Sequence, residues 1–220
     1  MGDRFRDKAV IVTGAACGLG AAIAEAFLGE GASVALADAD AVVLDETVHR
    51  LHESAPTRVI PVQTDVTNES SVQGMVQATL DVYKRLDVFV NTASILAAGD
   101  VTDFDASEWR RVIEVNLVGA FLCAKHAARV MKERGGGAIV QIPAQSGPPS
   151  GAKDSPAAAS TAGVIGLTRS LAIELAPYNI RVNAICAGGT NEDAVAAVLD
   201  LAGGAATGEV VRVDGGQGAS

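Results

Sequence analysis

The sequence is poor in the residue patterns that mark several large classes of protein. Its three cysteines, Cys17, Cys123 and Cys186, are widely spaced, with no CxxC and no Cys/His pair, so neither a disulfide framework nor a zinc site is indicated. A reducing, cytoplasmic setting and no metal are the expectations. Basic residues are few: 17 Lys and Arg against 26 Asp and Glu leave a net charge of -9, with no basic stripe for nucleic acid or an anionic membrane. No apolar run is long enough for a transmembrane helix. The charged stretch 1–8, followed by a short strand-like run, is unlike a signal peptide. His49, His52 and His126 lack metal-ligand spacing and read as solvated or packed side chains. Aromatics make up only 4%, which excludes little, but abundant alanine and glycine suit helices packed closely on a sheet.

What is present is an alternation. Short β-branched and apolar runs at 9–12, 33–37, 59–63, 88–90, 138–142, 181–185 and 209–213 read as strands. Stretches of helical periodicity lie between them at 20–28, 41–53, 70–85, 107–132, 155–176 and 191–202. This order predicts an α/β fold: a Rossmann-like, doubly wound, seven-stranded parallel sheet with helices on both faces. There is no repeat and no linker, and 220 residues can bury one sizeable core, so 1–220 reads as one domain.

After the first strand comes Thr13-Gly14-Ala15-Ala16-Cys17-Gly18-Leu19-Gly20, leading into a helix. Gly14, Gly18 and Gly20 allow backbone to approach a diphosphate at the helix N-terminus, with Cys17 and Leu19 in the same turn. Asp38 ends the next strand, where an acid binds ribose hydroxyls and repels a 2′-phosphate, favouring NAD over NADP. The plainer alternative is that the glycines serve only turn geometry and Asp38 is a solvated loop acid. Cys17 is either a reactive thiol stabilised by the helix or a small filler; filler is the expectation.

The TGxxxGxG spacing resembles the short-chain dehydrogenase/reductase family, and later segments agree in order. Asp65-Val66 stands where that family contacts adenine, and 86–94, LDVFVNTAS, is similar to its DxLVNNAG, bringing in Asn91 and Ala93. Val115-Asn116 resembles its helix asparagine, 162–172 its central helix, and 180–185 and 207–216 its last two strands. The resemblance implies NAD and a serine, tyrosine, lysine and asparagine as catalytic groups. Only the asparagine is matched, as a vestigial Asn116. Alignment places Ala144 at the serine, with Ser146 two residues on, Ala157 at the tyrosine and Thr161 at the lysine.

That loss is chemical. Hydride transfer from a carbinol needs a proton acceptor tuned toward neutrality, and alanine has none. The family's lysine lowers the tyrosine's pKa by its charge, and threonine carries no charge. Tyr83 and Tyr178 lie outside the required segment; Lys153 with Asp154 is the remaining substitute for acid–base work. The family's NNAG has become Asn91-Thr92-Ala93-Ser94, its PG is Ala187-Gly188, and the segment between Gly188 and Gly208 leaves room for one helix and a shortened substrate lid. Three readings follow: a non-catalytic subunit paired with a catalytically complete relative, a nucleotide-binding sensor, and an oxidoreductase with unusual residues. NAD is expected to bind weakly or not at all. Apolar stripes on two middle helices, Val112, Val115, Val118 and Leu122, and Val164, Leu167, Leu171 and Leu175, suggest assembly with that relative or with itself.

Overall fold

The computed structural model describes residues 2–53, 55–144, 153–188 and 192–213. Seven strands alternate with helices: β1 Ala9–Thr13, α1 Gly18–Gly29, β2 Ser33–Asp38, α2 Ala41–His52, β3 Val59–Gln63, α3 Glu69–Tyr83, β4 Val88–Asn91, α4 Ala106–Ile113, α5 Gly119–Arg134, β5 Gly137–Gln141, α6 Ser155–Leu175, β6 Ile180–Ala187, α7 Glu192–Gly203 and β7 Val210–Val213. All pairings are parallel, in the order β3-β2-β1-β4-β5-β6-β7. The order reverses between β1 and β4, so helices depart to opposite sides there and leave a crevice beyond the strand carboxyl ends.

The strands explain their own positions. β1, β4 and most of β2 and β6 are buried on both faces, as continuous Val, Ile and Ala runs require. β3 alternates and contains Pro61, which an edge strand tolerates because one side of its ladder needs no donor. Two cores result. Val10, Val12, Leu36 and Val90 meet Ile23, Phe27, Leu44 and Val198 from α1, α2 and α7. Ile11, Phe89, Ile139 and Val182 meet Val72, Met75, Leu122 and Met131 from α3 and α5, and Leu175 from α6.

Phe27 is fully buried and meets Phe5 edge to face, with ring centroids 4.8 Å apart. Phe27→Ala is expected to lower the stability by about 3–5 kcal/mol, through lost transfer energy plus a cavity. Urea unfolding checks this: the midpoint should fall at constant slope, and a loss under about 1 kcal/mol would mean the site collapses around the gap.

Two expectations about the middle helices need correction. The stretch 107–132 is not one uninterrupted helix, because a π-turn over Glu114–Val118 separates α4 from α5. The extra residue in that turn accommodates Asn116, whose amide faces inward. The apolar stripes are also largely core. Val112, Leu122, Val164 and Leu175 are buried, and Val115, Val118 and Leu171 pack half-buried on the second core. What remains exposed on these helices is Phe121 and Ile173, the latter at 80% exposure, with Trp109 at the margin.

At the amino end of β4, Asp87 ties three segments together. Its carboxylate accepts two bonds of 2.6 Å from Arg85 and one of 2.9 Å from the Ala9 N–H. Burial alone would push this carboxyl up, but the Arg85 hydrogen bond, the Ala9 N–H and the charges of Arg85 and Lys8 outweigh it and hold it below the usual carboxylate range. A depressed folded-state pKa gives stability that is present above the unfolded value, about 3.9, and is lost as pH falls through the folded one. Asp87→Asn is therefore expected to cost about 1–3 kcal/mol at pH 7 and less in acid. Denaturant midpoints at pH 7 and pH 3 compare the two, and an equal loss at both would remove Asp87 from the acid limb.

Candidate functional site

The turn from β1 into α1 is built by close approach. Gly14 and Gly18 have φ of 64° and 57°, the left-handed region that glycine adopts without strain. A Cβ on Gly20 would stand 2.1 Å from the Gly14 carbonyl oxygen, and one on Gly14 would stand 2.7 Å from Thr92 Oγ1 and 2.8 Å from the Ala93 nitrogen. Thr92 fastens the turn to the segment after β4: its hydroxyl donates to the Thr13 carbonyl at 2.6 Å, with the Gly14 carbonyl at 3.3 Å. Beneath it, Thr13 Oγ1 donates to Asn91 Oδ1 at 2.7 Å. Asn91 is thus buried as a tie between two strands.

Cys17 occupies the N-cap position of α1 and makes no side-chain capping bond, which leaves the first amides of the helix for a ligand. It is exposed, because the cap position projects it off the core. Asp38 is half-buried at the end of β2; one carboxylate oxygen accepts the Ala16 N–H and the other the Asp40 N–H, each at 3.1 Å. These bonds fix the carboxylate in the wall of the crevice. Asp65 accepts from the Thr67 N–H at 2.9 Å and the Thr67 hydroxyl at 2.7 Å, and Val66 is buried against the face of Gly119.

Gly14, Asp38, Asp65, Val66 and Ala93 line one cleft of about 430 Å³, within the range of small-molecule sites. Gly18, Leu19 and Gly20 form the helix end that follows the turn, and Asn91 lies below. Sequence reasoning missed Arg111 and Glu114, which also line the cleft. Their helical spacing was visible, but that the end of α4 and the π-turn stand beside the carboxyl ends of β2 and β3 is a tertiary fact.

The other end of the crevice holds the positions aligned with serine, tyrosine and lysine. The fold brings them together: Thr161 Oγ1 donates to the Ala144 carbonyl at 2.5 Å, and Ala144 and Ala157 are both buried. Asn116 accepts the Ile95 N–H at 2.8 Å and donates to the Ile95 carbonyl at 2.9 Å, with Ser160 Oγ at 3.4 Å. Its amide braces the backbone. Ser160 in turn donates to the Ala157 carbonyl. Tyr83 donates to the Val34 carbonyl, and burial pushes its phenol up. Tyr178 lies under Lys132 near the start of β6. Lys153 turns to Asp100, at 2.8 Å, while Asp154 Oδ2 is enclosed with no hydrogen-bond partner among the described residues, and burial raises its pKa. Ser146 lies outside the described residues.

Elsewhere, His126 is buried against Glu69, 2.9 Å away, and His52 meets the Val59 carbonyl. Among the described residues no group of three His, Cys, Asp or Glu is placed to hold a metal, and no helix is long and apolar enough to cross a membrane.

A model of the short chain dehydrogenase family matches residues 8–200. The chain belongs to the short-chain dehydrogenase family. A cis-4-hydroxycyclohexanecarboxylate dehydrogenase of Sinomonas cyclohexanicum is 40% identical over 189 residues, covering 86% of this chain and 75% of the relative. A substituted succinyl-CoA dehydrogenase subunit, BbsD, of Thauera aromatica is 36% identical over 184 residues, covering 84% and 73%. Among solved structures, a short chain dehydrogenase from Mycobacterium smegmatis superposes with a TM-score of 0.90 at 34% identity, covering 96% of this chain and 93% of that one. The glycine turn, Asp38 and Asp65 stand together at one end of the crevice. At the other end, Ala157 and Thr161 offer no phenol and no ammonium group.

Between β6 and β7 the described chain carries α7, which packs on α1 and the sheet. Residues 189–191, at the root of that segment, lie outside the described part.

Proposed function

We propose that this chain is a non-catalytic subunit that supports or regulates a catalytically complete short-chain dehydrogenase in a hetero-oligomeric, NAD-dependent enzyme of the cytoplasm. The observation that carries this reading is the juxtaposition of Ala144, Ala157 and Thr161, which assembles the place for acid–base chemistry without its groups. Ala144, Ala157 and Thr161 supply no group tuned to take a proton from a carbinol or give one to it. NAD is held, if bound, by its adenosine and diphosphate alone, so its binding is weak. Phe121 and Ile173 remain exposed on α5 and α6 after both cores are satisfied, and Ala158, Ala162 and Gly166 present a small-residue face beside Ile173. The relative named as a dehydrogenase subunit supports the reading.

Co-expression with a relative carrying the serine, tyrosine and lysine set tests it. A mixed oligomer is expected by light scattering, with turnover of the relative altered by this chain and the assembly broken by Phe121→Asp with Ile173→Asp. A soluble monomer in both the single and the paired preparation would sink the proposal.

The cleft around Gly14 and Asp38 favours a second reading, a nucleotide sensor. Micromolar NAD binding by the chain alone, with no stable partner, would select it. The enclosed Asp154 favours a third, and alcohol turnover by the lone chain that vanishes in Asp154→Asn would select that one.

A further inference from the structure

Five cationic side chains converge at the end of the sheet opposite the nucleotide cleft. Arg4 and Lys8 precede β1, Arg85 precedes β4, Arg134 closes α5 and Arg181 opens β6; with Gly135-Gly136-Gly137 they line a basal cleft of about 460 Å³. β1 has five residues, so the two clefts are separated by about 16 Å at roughly 3.3 Å per residue. In a chain of net charge -9, such a concentration of positive charge is a local feature and not a consequence of composition.

The positive charge exceeds what its neighbours compensate. Asp87 is the one carboxylate among the lining residues, and Arg85 already engages both of its oxygens at 2.6 Å. Lys8 stands off at 3.4 Å from the same group, with donors to spare. Arg4 pairs with Asp200, and Asp7 lies near Arg85. Arg181 donates to the Leu201 and Ala202 carbonyls, both at 2.6 Å, which hold its geometry but leave its charge uncancelled. Closing the last turn of α7 accounts for Arg181, and Arg134 likewise stands at a helix end. Neither applies to Lys8, which lies outside any helix, and Arg134 has no hydrogen-bond or ionic partner among the described residues.

We infer that the basal cleft is a binding site for a polyvalent, phosphate-bearing anion, held by Lys8, Arg134 and the free edge of Arg181. Two guanidinium groups and one ammonium around a concave wall suit an anion that offers oxygens in several directions, since Arg134 presents a full fork and Arg181 the N–H groups that its two carbonyl bonds leave over. A single small monovalent anion would leave most of these donors unmatched. Focusing of the field inside a cleft raises the local anion concentration, and the interaction weakens with salt.

Inorganic triphosphate is the probe, titrated into isotopically labelled whole chain while backbone amide signals are followed at low ionic strength, with adenosine triphosphate as a second arm. The amides of Arg134, Gly135 and Gly136 are expected to shift, with binding weakened by raised salt. Lys8→Gln with Arg134→Gln should reduce affinity by about tenfold or more, and Arg134→Lys with Lys8 retained should recover part of it. These side chains are exposed, and retained amide dispersion establishes that the variants fold. Equal affinity of the two probes assigns recognition to the phosphates, and tighter adenosine triphosphate binding with the same basal shifts adds a nucleoside contact. The inference is overturned by no basal shift at millimolar probe, by shifts confined to Gly14, Gly18 and Gly20, or by unchanged affinity in the double variant.

Discussion

Gly20→Ala is expected to abolish nucleotide binding and to lower stability by about 2–3 kcal/mol, the range for forced overpacking. The added methyl would stand 2.1 Å from the Gly14 carbonyl oxygen and 2.7 Å from Thr92 Oγ1. The first of these is backbone, and Gly14 is itself closed in by Thr92 and the Ala93 backbone, so no flexible side chain can yield. The β1–α1 turn has to open, which moves the helix amides away from where a diphosphate would sit. Gly74→Ala is the control: it lies within α3, its Cβ meets nothing within 4 Å, and alanine there should stabilise by roughly 0.5–1 kcal/mol. Urea midpoints and calorimetric titration with NAD or ADP-ribose measure both variants. An unchanged midpoint for Gly20→Ala would show that the turn relaxes at little cost.

The triple variant Ala144→Ser, Ala157→Tyr and Thr161→Lys is expected to remain below about 1 s⁻¹, the lower end of ordinary enzyme turnover. Restoring the side chains does not restore their surroundings. Thr161 now bonds to the Ala144 carbonyl, so the lysine would remove a tie that shapes the end of β5. Asn116 already uses its amide on Ile95. Ala157 is only 1% exposed, and a tyrosine there must displace its neighbours or swing fully into the crevice. Steady-state oxidation of secondary alcohols with NAD is the measurement. Rates at or above 1 s⁻¹ would show that the missing groups alone silence the site, and that the short segment after β6 is a sufficient substrate wall.

Much of the fold was readable because it depends on local periodicity. The central strands are runs such as AVIVT and SVALAD, whose burial on both faces follows from having no polar side to show. Strand boundaries shifted by a residue or two, as with β6, which reaches Ala187. The π-turn was not readable, since Val112, Val115 and Val118 keep ordinary helical spacing across it. Asn116 within it bonds the backbone of Ile95, a contact between segments far apart in the chain.

The site divides in the same way. That Ala144, Ala157 and Thr161 carry no acid–base group is a statement about side-chain chemistry, and the sequence by itself determined it. The glycine turn and the acid at Asp38 were likewise evident from residue types in order along one βαβ unit. Only the tertiary structure decided that Thr161 reaches Ala144, that Arg111 and Glu114 close one cleft, and that Lys8, Arg134 and Arg181 open on another. It also decided that the long apolar stripes belong to the core while Phe121 and Ile173 do not. The physical reason is range: helix and strand patterns are set by neighbours a few residues apart, whereas burial, charge balance and cleft walls are sums over segments that meet only when the sheet is assembled.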